Sequence, residues 1–144
     1  MKRAIPAHDL LVAFLETQIV VDRVSDHFFQ PYGISAAQFN ILNLLAQSGG
    51  TLEQASLTEQ LVVGKSSISI VLRRMEENGL IRREKHTSDK RQSVLELTKR
   101  GRELWEAVHG PYEETIERVF GSIPIRQRAA FIKSLQAICS QLAD

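Results

Sequence analysis

The sequence predicts a mainly α-helical fold with one small β-hairpin, and three observations carry that prediction. Apolar residues recur at helical spacing through most of the chain. One segment departs from that period, where two short apolar runs flank the polar stretch 86–92. Glycine and proline clusters at 31–33, 48–50, 110–111 and 121–124 punctuate the helical pattern. The 144 residues, 43% hydrophobic and 24% charged, suit one domain with appended helices and exclude a disordered or fibrous chain. No run reaches the roughly 18 apolar residues that span a membrane, and the first residues lack a long apolar export segment, so a cytoplasmic protein is expected. A single cysteine, Cys139, cannot close an internal disulfide or make a cysteine-based zinc site by itself.

The first element is a long amphipathic helix over residues 7–30, with Leu10, Leu11, Phe14, Val21, Val24 and Phe28 near helical spacing. Pro31-Tyr-Gly-Ile breaks it, and Ser35 with Gln38 reads as the capping box of a second helix carrying Phe39, Ile41, Leu42, Leu44 and Leu45. A short helix with Leu57, Leu61 and Val62 follows, its start capped by Thr51 with Gln54 or by Ser56 with Glu59. Val63-Gly64 then turns the chain into a helix from about Lys65 to Asn78. Ile68, Val71, Leu72 and Met75 form its buried stripe, and Gly79 supplies a left-handed stop. Leu80-Ile81 and Ser93 to Leu97 are the two arms of the hairpin. Another long helix begins at Thr98 with Leu104, Trp105, Val108, Ile116 and Val119, where Gly110-Pro111 should bend or interrupt it. The last helix carries Phe131, Ile132, Leu135, Ile138 and Leu142, with Cys139 expected as a buried, inert thiol beside them.

The charges are unevenly placed. Residues 64–102 hold eleven Lys and Arg against five acids, net +6, while the remainder holds seven against twelve, net −5. A basic centre between acidic arms suits a phosphate-bearing partner, the alternative being a solvated basic surface.

Two helices joined by a tight turn and followed by a basic hairpin make a helix-turn-helix with a wing. A helix fits the major groove of DNA, and a thin hairpin reaches phosphates or the minor groove beside it. Opposite the apolar stripe of the second helix lie Ser66, Ile70, Arg73 and Glu77, flanked by Ser67, Ser69 and Arg74. The serines can approach bases or phosphates closely, or simply cap the helix. Ile70 can touch a thymine methyl, and Arg73 or Arg74 can reach guanine or phosphate.

Asp89-Lys-Arg91-Gln-Ser-Val-Leu-Glu-Leu97-Thr98-Lys-Arg-Gly101 resembles the wing signature of the multiple-antibiotic-resistance regulator (MarR) family. Arg74-Met-Glu76-Glu-Asn-Gly79-Leu80-Ile81-Arg-Arg83 is similar to the end of that family's recognition helix and its first wing strand, and Tyr32-Gly-Ile34-Ser35 to its first interhelical junction. The chain departs from the family pattern at Gly64, where a hydroxyl cap is usual, and at Thr58, where alanine is common. The resemblance implies a winged module over residues 35–101, flanked by dimerisation helices over 1–34 and 102–144. It also implies Arg91 in the minor groove, Asp89 bracing the wing, and Lys90 beside phosphates; Lys65, at the start of the second helix, joins the DNA-binding residues. Unpartnered amphipathic stripes at both ends of the chain agree with pairing. A two-fold dimer reads half-sites about 10 base pairs apart, hence a pseudo-palindromic operator on double-stranded DNA. Repression is the usual output, with activation as the alternative.

Many relatives of this kind bind a small aromatic or phenolic acid between dimerisation helices and winged module. Here Phe14, His27, Phe28, Tyr32 and Trp105 are candidates for the lining, although aromatics at helical spacing equally make core. His109 with Glu113, His8-Asp9 and Asp26-His27 form no recognisable metal cluster, and no cofactor motif or catalytic pair suggests an enzyme. The rival from another class is a winged-helix protein-interaction module without specific DNA binding.

Overall fold

The computed structural model describes residues 4–61, 67–85 and 93–143. In order they form α1 (Ala7–Phe29), a 3-10 turn (Gln30–Tyr32), α2 (Ala36–Gln47), β1 (Thr51–Glu53), α3 (Gln54–Gln60), α4 (Ile68–Glu77), β2 (Ile81–Lys85), β3 (Ser93–Leu97), α5 (Lys99–Phe120) and α6 (Ile125–Leu142). The chain divides into two compact units, Met1–Glu106 and Ala107–Asp144, with the boundary inside α5.

The core of the first unit joins α2, α3, α4 and the sheet through Ile41, Leu42, Leu45, Leu57, Ile68, Leu72, Met75, Leu80, Ile81, Leu95 and Leu97. Each such side chain removed from water contributes on the order of 1.5–3 kcal/mol. The capping box of α2 forms as expected. The Gln38 amide donates to Ser35 Oγ at 3.2 Å, and the Ser35 amide donates to Gln38 Oε1 at 3.0 Å. Trp105 packs against this core and donates its indole N–H to Asn43 Oδ1 at 3.0 Å, so a large aromatic keeps its polar atom satisfied.

The extended region is a three-stranded antiparallel sheet in the order β1-β3-β2 rather than a bare hairpin. Thr51 to Glu53, expected as a loop or helix start, pair with the outer edge of β3, Leu52 opposite Leu95. Neither proposed cap of α3 forms: Glu53 stands at its N-cap and makes no side-chain cap bond. The open edge of β3 decides this conformation, since its hydrogen-bonding groups need partners more than one short helix needs an extra turn.

Local chemistry ends α4 where Gly79 predicted. Gly79 takes φ +70°, its amide donates to Glu76 O at 2.9 Å, and the Leu80 amide donates to Met75 O at 2.9 Å. This is a Schellman stop with Leu80 folded back on Met75 in the core. The same corner holds the start of α5. The Thr98 hydroxyl accepts from the Gly101 amide at 3.0 Å and donates toward the carbonyls of Gly79 and Leu80, at 2.6 and 3.0 Å. Gly101 is required for closeness: a Cβ there would overlap the Leu80 carbonyl oxygen and lie 2.8 Å from Leu97 Cδ1.

Helix α5 is not interrupted at Gly110-Pro111; Pro111 lies inside it. An interior proline deletes one backbone hydrogen bond at a cost of about 3 kcal/mol, and a helix of this length retains the bonds on either side. In the second unit Arg128 donates through Nε to Ile123 O at 3.0 Å and pairs through Nη2 with Glu117 at 3.1 Å, bracing the turn between α5 and α6. Cys139 is exposed, contrary to expectation. Helix α6 buries no residue fully in the single chain: Leu135 is half-buried, and Ile138 and Leu142 beside Cys139 are exposed.

Candidate nucleic-acid interface

The face of α4 away from the core is the first part of the site. Ile68, Leu72 and Met75 are buried, Leu72 and Met75 completely, and Val71 is half-buried against the same core, whereas Ser67, Ser69, Ile70, Arg73 and Arg74 are exposed. The stripe read from the sequence therefore divides the helix as expected, and leaves Ile70, an apolar residue, 50% exposed among serines and arginines. Ser67 occupies the N-cap position without a side-chain cap bond to α4. Arg73 Nε lies 3.8 Å from Glu77 Oε1, with both side chains well exposed. Such a pair is worth at most about 1 kcal/mol and yields readily to a stronger anion. Arg74, in the last turn, has its charge favourably placed at the negative end of the helix dipole.

The wing strands stand beside this helix. Arg82 faces away from the core and donates through Nη2 to Glu96 Oε1 at 3.0 Å, its direct cross-strand partner. Arg83 faces inward and lies 3.6 Å, Nε to Oε1, from Glu76 of α4. Lys65, Ser66, Asp89, Lys90 and Arg91, named from the sequence as DNA-contacting or wing-bracing residues, lie outside the described residues. So does the Val62-Val63-Gly64 turn.

Of the five aromatic-pocket candidates, Phe28 and Tyr32 meet each other. Phe14 and His27 are exposed on α1. Phe28 is half-buried against Phe29 and Tyr32, with ring centres 4.9 and 5.7 Å apart, and Trp105 is engaged with Asn43. Tyr32 borders a cleft of about 520 Å³, lined with Gly33, Ile34, Asn78, Leu80, Arg100, Glu103 and Leu104. Those residues come from the α1–α2 junction, the end of α4 and the first turns of α5, and no periodicity in one segment could have gathered them. Arg83 and Glu76 were likewise missed in the sequence as a pair; the signal was a charge at an inward position of a strand. Among the described residues no cluster of three or more His, Cys, Asp or Glu side chains is arranged to hold a metal. Among them, too, no helix is long and apolar enough to cross a membrane.

A buried-stripe helix with an exposed Ser, Ile and Arg face, followed by a small antiparallel wing, defines a winged helix-turn-helix protein. The sequence profile described as the MarR family matches residues 34–93. FarR, an HTH-type transcriptional regulator of Neisseria gonorrhoeae, is 32% identical over 114 residues, taking in 77% of this chain and 75% of FarR. YetL, an HTH-type transcriptional repressor of Bacillus subtilis, is 26% identical over 136 residues, 94% of this chain and 81% of YetL. The crystal structure of AbsC, a MarR family transcriptional regulator from Streptomyces coelicolor, superposes with a TM-score of 0.85 at 25% identity, covering 99% of each chain. The chain belongs to the MarR family of transcriptional regulators and is not an enzyme.

Proposed function

We propose that this protein is a sequence-specific, cytoplasmic DNA-binding repressor that acts as a homodimer on a pseudo-palindromic operator. The observation that carries this reading is the outer face of α4, where Ser67, Ser69, Ile70, Arg73 and Arg74 are all exposed opposite the buried Ile68, Leu72 and Met75. Hydroxyls, a methyl-bearing side chain and guanidinium groups on one helical face are the donor and apolar set that major-groove edges require. Lys65 and Ser66 join these residues on DNA, Lys90 meets phosphate, and Arg91 enters the minor groove with Asp89 bracing it. Repression is supported by the designation of YetL as a repressor.

Dimerisation is supported by apolar surface that each unit leaves uncovered. On α1, Leu10, Leu11, Phe14, Leu15, Ile19 and Val20 are all exposed, and in the second unit so are Phe120, Phe131, Ile132, Ile138 and Leu142. Large apolar side chains left exposed on one helix after another suit an interface. Residues 1–34 and 102–144 are accordingly assigned to dimerisation and 35–101 to DNA binding. The effector is a small aromatic or phenolic acid, and the cleft beside Tyr32 has the volume for one, with Arg100 as the cation for its carboxylate. A ligand there switches the protein only by binding one spacing of the two recognition helices better than the other.

The test is Arg91→Ala. A DNA reader loses roughly 5- to 100-fold in operator affinity while its dimer persists in solution. An unchanged affinity, or the absence of any specific fragment for the wild-type protein, would instead favour the protein-interaction module.

A further inference from the structure

We infer that Arg83 and Glu76 are a positioning pair that holds the wing-bearing strand against the recognition helix α4, so that the wing's grip on DNA depends on both although neither touches DNA. This rests on the DNA-binding reading above. In the sheet, Leu52, Leu95 and Arg83 form one cross-strand row. Leu95 is fully buried, and the adjacent row, Ile81 and Leu97, belongs to the core. Side chains alternate along a strand, so Arg83 stands where the next apolar residue would complete the inner face.

Its side chain is only 22% exposed and that of Glu76 33%. Nε and Nη2 of Arg83 are shielded from water and, among the described residues, have no hydrogen-bond acceptor. The charge is thus answered by Glu76 at 3.6 Å, across the join between helix and strand. Shielding strengthens that attraction relative to a surface pair, and removing either partner strands the other. Arg82 provides the contrast. It is 66% exposed, faces the other way and ties β2 to β3 through Glu96, which does nothing to fix the sheet relative to α4. After Arg83 only Glu84 and Lys85 remain in β2 before the wing tip. A tie at this point fixes the outer end of β2 against α4.

The experiment compares the full chain with Arg83→Met, which keeps the long stem, with Glu76→Gln and with the double variant. Hydrogen exchange of the DNA-free protein is followed at residues 84, 85, 93 and 94, with 81 and 97 as reference. Each single variant is expected to speed exchange at the outer positions more than at the reference pair. On the tightest genomic fragment each loses on the order of tenfold in affinity, with flanking minor-groove protection lost and central protection kept, and the double variant is no weaker than either single one. If Glu76→Gln binds as wild type while Arg83→Met does not, Arg83 contacts DNA itself and the pairing role is wrong. If exchange and affinity are unchanged and only aggregation rises, Arg83 merely guards an edge strand. Should the wild-type protein bind no fragment specifically, the DNA-binding reading fails, and the exchange pattern alone decides whether the pair holds the strand.

Discussion

Replacing Thr98 by valine removes one hydroxyl and almost nothing else, which makes the corner between α4 and α5 open to measurement. The hydroxyl accepts from the Gly101 amide at 3.0 Å and donates toward Gly79 O and Leu80 O at 2.6 and 3.0 Å. Its single proton serves one carbonyl at a time, so two net bonds are at stake. The Leu80 carbonyl keeps the Thr98 amide, at 3.2 Å, and Gly79 is exposed to water, so the carbonyls are compensated. Gly101 is buried, and its N–H loses its capping oxygen. A lost cap costs about 1 kcal/mol and a lost hydroxyl donor about 1 kcal/mol, or about 2 kcal/mol together. That is a factor of about 30 in the folding equilibrium, and with an urea m-value of about 2 kcal/mol/M it lowers the midpoint by about 1 M. Urea unfolding by circular dichroism, at one fixed protomer concentration because assembly adds to apparent stability, measures it. Thr98→Ser should recover most of the loss. A valine variant within about 0.2 M of wild type, or a serine variant no better than valine, would refute the account of this corner.

Gly101→Ala separates packing from helix propensity. Alanine at an exposed helical site would stabilise by up to about 1 kcal/mol, but here its Cβ overlaps the Leu80 carbonyl, so thermal unfolding should show a loss of about 1–3 kcal/mol. Arg73→Ala removes only an exposed pair with Glu77; its stability should stay within about 0.5 kcal/mol of wild type, while fluorescence anisotropy shows a roughly 5- to 100-fold loss of operator affinity.

What could be read from the sequence is what local chemistry decides. The stripe of Ile68, Leu72 and Met75, the capping box of Ser35 and Gln38, and the stop at Gly79 all depend on residues within two helical turns of one another, and all form as expected. What could not be read is decided at a distance. Thr51 to Glu53 become a strand because β3, over 40 residues later, offers an open edge. Thr51-x-x-Gln54 matches a capping box in letters, yet the pairing claims those residues first. Pro111 is tolerated because a long helix spreads the loss of one bond. Cys139 shares its helix with apolar neighbours, so the pattern read as burial; in one chain Cys139, Ile138 and Leu142 are exposed. The cleft beside Tyr32 draws on three separated segments, and with Tyr32 as the aromatic residue of its lining, aromatic content does not reveal it.

The most direct test of the account is binding of the purified protein to genomic DNA fragments, including the region upstream of its own gene, across a salt series with nonspecific competitor and a footprint of the best fragment. The account predicts tight, competitor-resistant binding to a small set of fragments, affinity falling steeply with salt, and two protected half-sites about 10 base pairs apart. Weak binding that is equal on every fragment and vanishes at modest salt would contradict it, leaving a basic surface without a reading helix.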